Sequence, residues 1–130
     1  MALSPMTTTF KPDAGSGGYG INAYGPGFIQ VNGVQHAAPL ILCPSTGATP
    51  WGDLTVATLT ADHLRELIDR RPEVVLIGTG ERQVFLHPSV LAPLTNLRIG
   101  VECMSLAAAC RTYNILMGED RRVLAALLFE

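Results

Sequence analysis

Two short, continuously apolar segments do most to limit what this chain can fold into. Residues 74–77 read Val-Val-Leu-Ile, and residues 99–103 read Ile-Gly-Val-Glu-Cys. Runs of this kind are typical of strands covered on both faces, as in the parallel part of an α/β sheet. The first run is followed by Gly-Thr-Gly at 78–80 and the second by Met104-Ser105. Because open α/β sheets bind ligands in the loops after parallel strands, we expect any functional site at these two loops.

Helical and strand patterns alternate through the C-terminal two thirds of the chain. Helix starts, stops and apolar spacing predict three helices, the first from Thr60 to Arg71, the second over residues 90–97 with Ser89 as its cap, and the third from Ser105 to Gly118. A last buried strand is predicted at residues 123–129, and a short extra strand is allowed at residues 84–86. This order of elements is typical of an α/β fold.

The N-terminal third has a different pattern, which predicts antiparallel strands. Short β-like runs lie between residues 21 and 43, and Asn32-Gly33 between two of them offers the positive φ that a two-residue hairpin turn requires. Residues 44–47 are predicted to end this β region, and Trp51 follows in a loop, either as a lid packed on the sheet or as a ligand platform. We therefore predict one α/β domain at residues 20–130 with an N-terminal antiparallel β extension, preceded by a flexible arm at residues 1–19.

Composition excludes several classes of protein. The chain has 130 residues, a formal net charge of −2 and no run rich in Lys or Arg, which argues against binding to nucleic acid. Its three cysteines, at positions 43, 103 and 110, match neither a disulfide framework nor a zinc site, so we predict reduced thiols, no bound metal and a cytoplasmic location. The longest apolar run, at 123–129, is far too short to cross a bilayer, so no transmembrane segment is expected.

The candidate site residues lie in the first loop, at the end of the second strand and on the third helix. The Gly-Thr-Gly turn exposes backbone N–H groups and can cradle an anion, although Gln83 stands where a dinucleotide fingerprint has its third glycine, so no cofactor is predicted. We expect the turn, Glu102 and a polar stripe of the third helix to converge, with Arg111 bridging Glu102 or the turn carbonyls. Tyr113 is predicted to lie in the core with a satisfied hydroxyl. The candidate residues for binding a ligand or partner are Gly78, Thr79, Gly80, Glu102, Arg111 and Asn114.

These motifs together resemble a known family. The Leu-Ile-Gly-Thr-Gly turn at 76–80, Gly-Val-Glu-Cys-Met at 100–104 and Ala-Cys-Arg-Thr-Tyr-Asn at 109–114 are similar to a family of small uncharacterised α/β proteins. That family includes a mitochondrial complex I assembly factor and an adipogenesis-associated domain protein. The resemblance implies a three-layer fold with a central mixed sheet, whose last strand runs antiparallel to its neighbours. Ser105 follows Met104 where family members often carry Asp, which weakens an acid/base role there.

Two functions follow as hypotheses. The first is a non-enzymatic interaction or assembly factor with a protein partner, related by family resemblance to the biogenesis of a respiratory complex. The second is a small-molecule or anion-binding protein, or an enzyme, that uses the cleft at Gly78–Gly80 and Glu102. No complete catalytic constellation is present in the sequence, so the chain is not assigned as an enzyme, and a homo-oligomer is left open. An apolar patch beside the cleft favours the first hypothesis, whereas a deep polar pocket favours the second.

Overall fold

The computed structural model describes residues 7–9 and 18–129. Its strands in this part of the chain are β1 (Thr8–Thr9), β2 (Ile21–Gly25), β3 (Phe28–Val31), β4 (Val34–His36), β5 (Leu40–Cys43), β6 (Gly47–Pro50), β7 (Val74–Thr79), β8 (Gly100–Met104) and β9 (Val123–Leu128). The helices are α1 (Ala61–Arg65), which continues as a 3-10 helix over Glu66–Arg70, α2 (Pro88–Thr95) and α3 (Leu106–Gly118).

The strands form two sheets. One is antiparallel and has the order β1-β2-β3-β4, and the other has the order β6-β5-β9-β7-β8. In the larger sheet β7 is parallel to both β8 and β9, whereas β5 is antiparallel to β6 and β9. The α/β class and the mixed central sheet are thus confirmed. The expectation that the last strand is antiparallel to its neighbours holds only toward β5 and is wrong toward β7, because α3 carries the chain back across the sheet before β9 begins.

Two apolar cores lie on the two faces of the larger sheet and make the domain three-layered. On one face α3 and the four-stranded sheet pack against alternate residues of β5, β7 and β9, including Leu42, Leu76 and Leu127. On the other face α1, α2 and the loop after β6 cover the remaining positions of the same strands. Trp51 is buried in this second core, in agreement with a lid packed on the sheet.

Local turn chemistry explains where the structure follows the sequence pattern and where it departs from it. Asn32 and Gly33 have φ of 48° and 87°, so the predicted two-residue hairpin turn is confirmed. The segment 44–47, which was expected to end the β region, is instead a turn that leads into β6, since Gly47 takes a φ of 81° and pairs with Cys43.

Three further boundaries differ from expectation. The segment 84–86 is not a strand, and the first helix tightens into a 3-10 helix after Arg65. The second helix begins at Pro88, two residues earlier than predicted, and its cap is His87 rather than Ser89. The His87 Nδ1 accepts the Ser89 N–H at 3.0 Å, and Pro88 fits the first helical position because its missing N–H has no partner there anyway.

Most of the arm predicted at residues 1–19 lies outside the described residues. Of the part that is described, Thr8 and Thr9 pair with Tyr24 and Ala23 of β2 as a short antiparallel strand. The smaller sheet therefore has four strands in the described part of the chain.

The buried Cys110 thiol should make the protein less stable as the pH rises above 9. Burial raises the pKa of Cys110 from 9.0 to about 12. Above pH 9 the thiol ionises in the unfolded state, whereas in the folded state it stays protonated up to about pH 12. The contribution of this thiol to the free energy of unfolding is therefore complete below pH 9 and falls by about 1.4 kcal/mol per pH unit between these two values. Urea midpoints measured between pH 8 and 10.5 should fall less steeply in Cys110→Ala than in the wild type. Equal slopes would contradict this assignment.

Candidate functional site

Gly78 and Thr79, which were predicted to form a turn with Gly80, are instead the last residues of β7 and lie beside the start of α3. Gly78 sets how closely the helix approaches. A Cβ placed on Gly78 would lie 2.9 Å from Leu127 Cδ2 and 3.3 Å from Ala109 Cβ. Real Cβ atoms rarely come so close to other atoms, so a larger residue would push α3 away from the sheet. Gly78 therefore serves helix packing.

Thr79 joins the ends of two strands to the following loop. Its side chain is 2 % exposed, and its hydroxyl oxygen lies 2.6 Å from the Arg82 carbonyl oxygen and 3.1 Å from that of Met104. The same oxygen accepts the Val84 N–H at 3.0 Å. One buried hydroxyl thus holds the end of β7, the end of β8 and the loop at 82–84 together.

Gly80 positions the start of α3. Its φ of 89° lies in the region that favours glycine, and its carbonyl oxygen accepts the Leu106 N–H at 2.7 Å. The hydroxyl of Ser105 caps the same helix by accepting the Ala108 N–H at 3.2 Å. The Thr79 hydroxyl and the Gly80 carbonyl therefore both form hydrogen bonds that stabilise the fold.

A groove of about 270 Å³ opens beside Gly80. It lies between the tip of the β2–β3 hairpin, the first turn of α3 and the end of β9, and most of its walls are apolar. Tyr24, Pro26, Leu106, Ala107 and Phe129 line it together with the backbone at Gly80. Of the six residues predicted from the sequence, only Gly80 lines this groove.

Arg111 and Asn114 face the smaller sheet. The Arg111 guanidinium donates to the Tyr24 hydroxyl at 2.9 Å, which connects it indirectly to the groove. Asn114 donates to the Ile21 carbonyl at 2.7 Å and accepts the Ile21 N–H at 3.0 Å. Its side-chain amide thus makes the two hydrogen bonds that the backbone of a neighbouring strand would make with β2. The expected bridge from Arg111 to Glu102 is not among the ion pairs formed by residues 7–9 and 18–129.

Glu102 instead lies on β8, an edge strand of the larger sheet, where it is exposed. Beside this edge is a hollow of about 400 Å³ between β8 and the loop that leads to α2. Gln83 Nε2 donates to the outward-facing carbonyl of Cys103 at 2.9 Å, and Phe85 is 79 % exposed at the rim. Of the six predicted residues, Gly80 thus lies at the groove and Glu102 at the hollow, and neither surface is lined by the other four.

Sequence reasoning missed Tyr24, Gln83 and Phe85. Tyr24 comes from a different sheet, so no local pattern connects it with Arg111. Phe85 lies between Val84 and Leu86 in a run of three apolar residues for which a short strand was allowed, and no local pattern marks it as exposed. A single exposed apolar residue is common on protein surfaces, but Phe85 adjoins the exposed Val84 and the apolar walls of the hollow, and a contiguous apolar surface is the informative feature.

The titratable groups with raised pKa values lie away from the groove and the hollow. The thiols and the phenol whose pKa values are raised by burial, those of Cys43, Cys110 and Tyr113, lie in the core. The Tyr113 hydroxyl donates to the Tyr19 carbonyl at 2.6 Å, which confirms its predicted role as a satisfied core residue. Within the described part of the chain, no three His, Cys, Asp or Glu side chains are grouped closely enough to hold a metal ion.

The fold defines a class of protein, a small three-layer α/β domain with a mixed central sheet of five strands. Within this class, the chain belongs to the family described as "Protein of unknown function (DUF498/DUF598)", whose profile matches residues 21–128. The resemblance inferred from the sequence motifs is thereby confirmed.

Three similar proteins illustrate what this family contains. A crystal structure from Bordetella parapertussis has a TM-score of 0.82 and 41% identity, over 87% of this chain and 97% of that one. The Francisella tularensis protein named "13 kDa major membrane protein" is 30% identical over 77% of this chain and 82% of that protein. The Danio rerio protein named NADH dehydrogenase (ubiquinone) 1 alpha subcomplex assembly factor 3 is 33% identical over 87% of this chain and 66% of that protein. Homologues thus include a named assembly factor.

In the described residues, no helix combines the length and the apolar character needed to cross a membrane.

Proposed function

We propose that this protein is a non-enzymatic interaction or assembly factor whose protein partner docks at the β8 edge. The observation that carries the proposal is Phe85, which is 79 % exposed beside the hollow at that edge. Leu86, Leu91 and Val101 continue the apolar surface into the hollow. An exposed aromatic residue at the rim of an apolar depression is the arrangement expected of an interaction hot spot.

The open strand edge defines what kind of partner fits. Within the described residues β8 pairs only with β7, so its outer backbone groups can accept an added strand. Gln83 already occupies the Cys103 carbonyl, which leaves the Val101 end of the edge for pairing. We infer an extended partner segment that places an apolar side chain in the hollow and a basic side chain opposite the exposed Glu102. A second copy of this chain is the alternative occupant.

Replacing Phe85 with glutamate should remove the partner while the fold remains, because the aromatic ring is mostly exposed. We expect at least about a tenfold loss of partner recovery when the tagged protein is purified from its native host. Ile115→Glu is the matched control, since Ile115 is also exposed, at 61 %, but lies on α3. Equal recovery by both variants, with both proteins folded, would exclude the β8 edge as the docking surface.

The same purification can test the finer parts of the proposal. The name of the Danio rerio relative supports a partner from a respiratory complex. If the protein is cytoplasmic, it should be recovered from the soluble fraction. Purification from soluble and membrane fractions in parallel examines both points. Recovery only from membranes would contradict a cytoplasmic location, which the name of the Francisella tularensis relative makes a necessary control.

A second function is favoured by the groove at Gly80, whose volume of about 270 Å³ suits a small apolar ligand. In that case the role of Gly78 and Thr79 is architectural and the ligand contacts Tyr24 and Phe129, with Glu102 outside the site. Mass spectrometry of metabolites in the same eluates separates the two functions. A small molecule retained equally by the wild type and Phe85→Glu, without any stoichiometric protein, would support the ligand-binding function.

A further inference from the structure

A separate pocket of about 160 Å³ lies at the end of the larger sheet opposite Gly80. It is enclosed by the turn after β5, the end of the 3-10 helix and the start of β9. Three arginines line it, Arg70, Arg121 and Arg122, and no Asp or Glu residue does. The volume has room for several water molecules and hence for a small anion.

The partners of these arginines leave positive charge uncompensated. Arg121 Nε lies 3.3 Å from Glu73 Oε2. Arg122 Nε donates to the Arg71 carbonyl at 3.1 Å, a bond that orients the side chain without neutralising it. The Arg70 side chain forms no hydrogen bond or ion pair with any of the described residues, although its charge acts on the buried Cys43 thiol.

Glu73 offsets only one of the three charges. Its Oε1 accepts the Arg122 backbone N–H at 2.7 Å, and this bond together with the arginine charges holds the pKa of Glu73 below its usual value. Asp69 and Asp120 are exposed and do not line the pocket. Like charges that converge on one small volume repel one another unless a counterion joins them.

We propose that this pocket binds a small dianion of the phosphate class, either free phosphate or the phosphate group of a monoester. Two uncompensated guanidinium groups match the charge of such a ligand, and their planar N–H donors suit its oxygens. Ser45 adds a hydroxyl at the rim of the pocket. The site is independent of the β8 edge and of the groove at Gly80, so it stands whether or not the proposed function does.

Thermal unfolding of the full chain with inorganic phosphate tests the site. At 20 mM phosphate, compared with sodium chloride of equal ionic strength, we expect the wild-type midpoint to rise by about 3 °C. Arg70→Gln should lose most of this rise, because Arg70 contributes charge to the pocket and makes no structural bond that the substitution would break. Arg65→Gln is the matched control, since Arg65 pairs with Asp62 on the exposed side of α1, and it should keep the rise.

Amide NMR gives a second measurement that does not depend on stability. Phosphate should shift the backbone signals of Ser45 and Leu124 in the wild type and leave them in place in Arg70→Gln. Glycerol 3-phosphate, used in the thermal experiment, distinguishes the two sources of the ligand. A larger rise in the unfolding midpoint than with phosphate assigns a monoester, and an equal rise in the midpoint assigns free phosphate. The absence of shifts at both amides, or an equal rise in Arg70→Gln, would mean a general ion effect only and would overturn the proposal.

Discussion

Replacing Gly78 with valine should destabilise this protein by about 3 kcal/mol, a large share of the stability of a small domain. Even the first added carbon meets Leu127 and Ala109 at distances shorter than ordinary van der Waals contact. The Leu127 methyl can turn aside, but Ala109 belongs to α3 and moves only if the helix moves. Gly78→Ala should therefore cost less, about 1 kcal/mol, and the cost should grow with side-chain size.

Gly100→Val is the matched control for this prediction. Gly100 is also a strand glycine without positive φ, but the nearest atoms to an added Cβ are the Glu73 carbonyl oxygen and Val74 Cγ2, both at 3.7 Å, an ordinary contact distance. The control should therefore change the free energy of unfolding by no more than about 0.5 kcal/mol. Urea denaturation of the four proteins measures the comparison. A similar loss at both positions would show that a general strand effect, rather than the approach of α3, is responsible.

The parts of the fold that sequence reasoning predicted correctly are those with local causes. The Asn32-Gly33 turn depends on the φ preferences of two adjacent residues, and the buried strands β7 and β9 depend on runs of a few apolar residues. The expectation that residues 99–103 are covered on both faces was wrong, because β8 lies at the edge of the sheet and is partly exposed. The strand β6 was missed because a proline-containing turn can either end a β region or reverse it. The choice depends on Gly47 pairing back to Cys43, which no local pattern reveals. Likewise, the direction of β9 relative to β7 depends on the path of α3 across the whole sheet.

In the candidate site, too, local features were predictable from the sequence and long-range contacts were not. The sequence pointed to the loops after β7 and β8. In the structure Gly80 of the first loop lines the groove, and Ser105 of the second caps α3. The partners of the side chains were not predictable, because Thr79 contacts Met104 at a separation of 25 residues and Arg111 contacts Tyr24 at a separation of 87. Glu102 was correctly placed on a strand, but its position at the sheet edge, rather than at a shared cleft, follows from the strand order.

Thr79→Val should destabilise the protein by about 2–3 kcal/mol although it conserves the volume of the side chain. The substitution removes the hydroxyl and leaves the Val84 N–H without its acceptor, while the Arg82 and Met104 carbonyls lose a donor. Leaving a buried polar group without a partner lowers the free energy of unfolding by more than the hydrogen bond had raised it. Thr79→Ser retains the hydroxyl and should cost about 1 kcal/mol, mainly through the lost methyl group.

Hydrogen exchange connects this prediction to function. The Val84 amide should exchange much faster in Thr79→Val than in Thr79→Ser, because its acceptor is lost only in the valine variant. The segment that this hydroxyl holds includes Phe85, so Thr79→Val should also weaken partner binding at the β8 edge even under conditions where the protein is fully folded. Thr95→Val is the control, since its hydroxyl is exposed and makes only a 3.4 Å bond to the Leu91 carbonyl. If Thr79→Val is no less stable than Thr79→Ser and Val84 exchange is unchanged, the hydroxyl does not hold the loop.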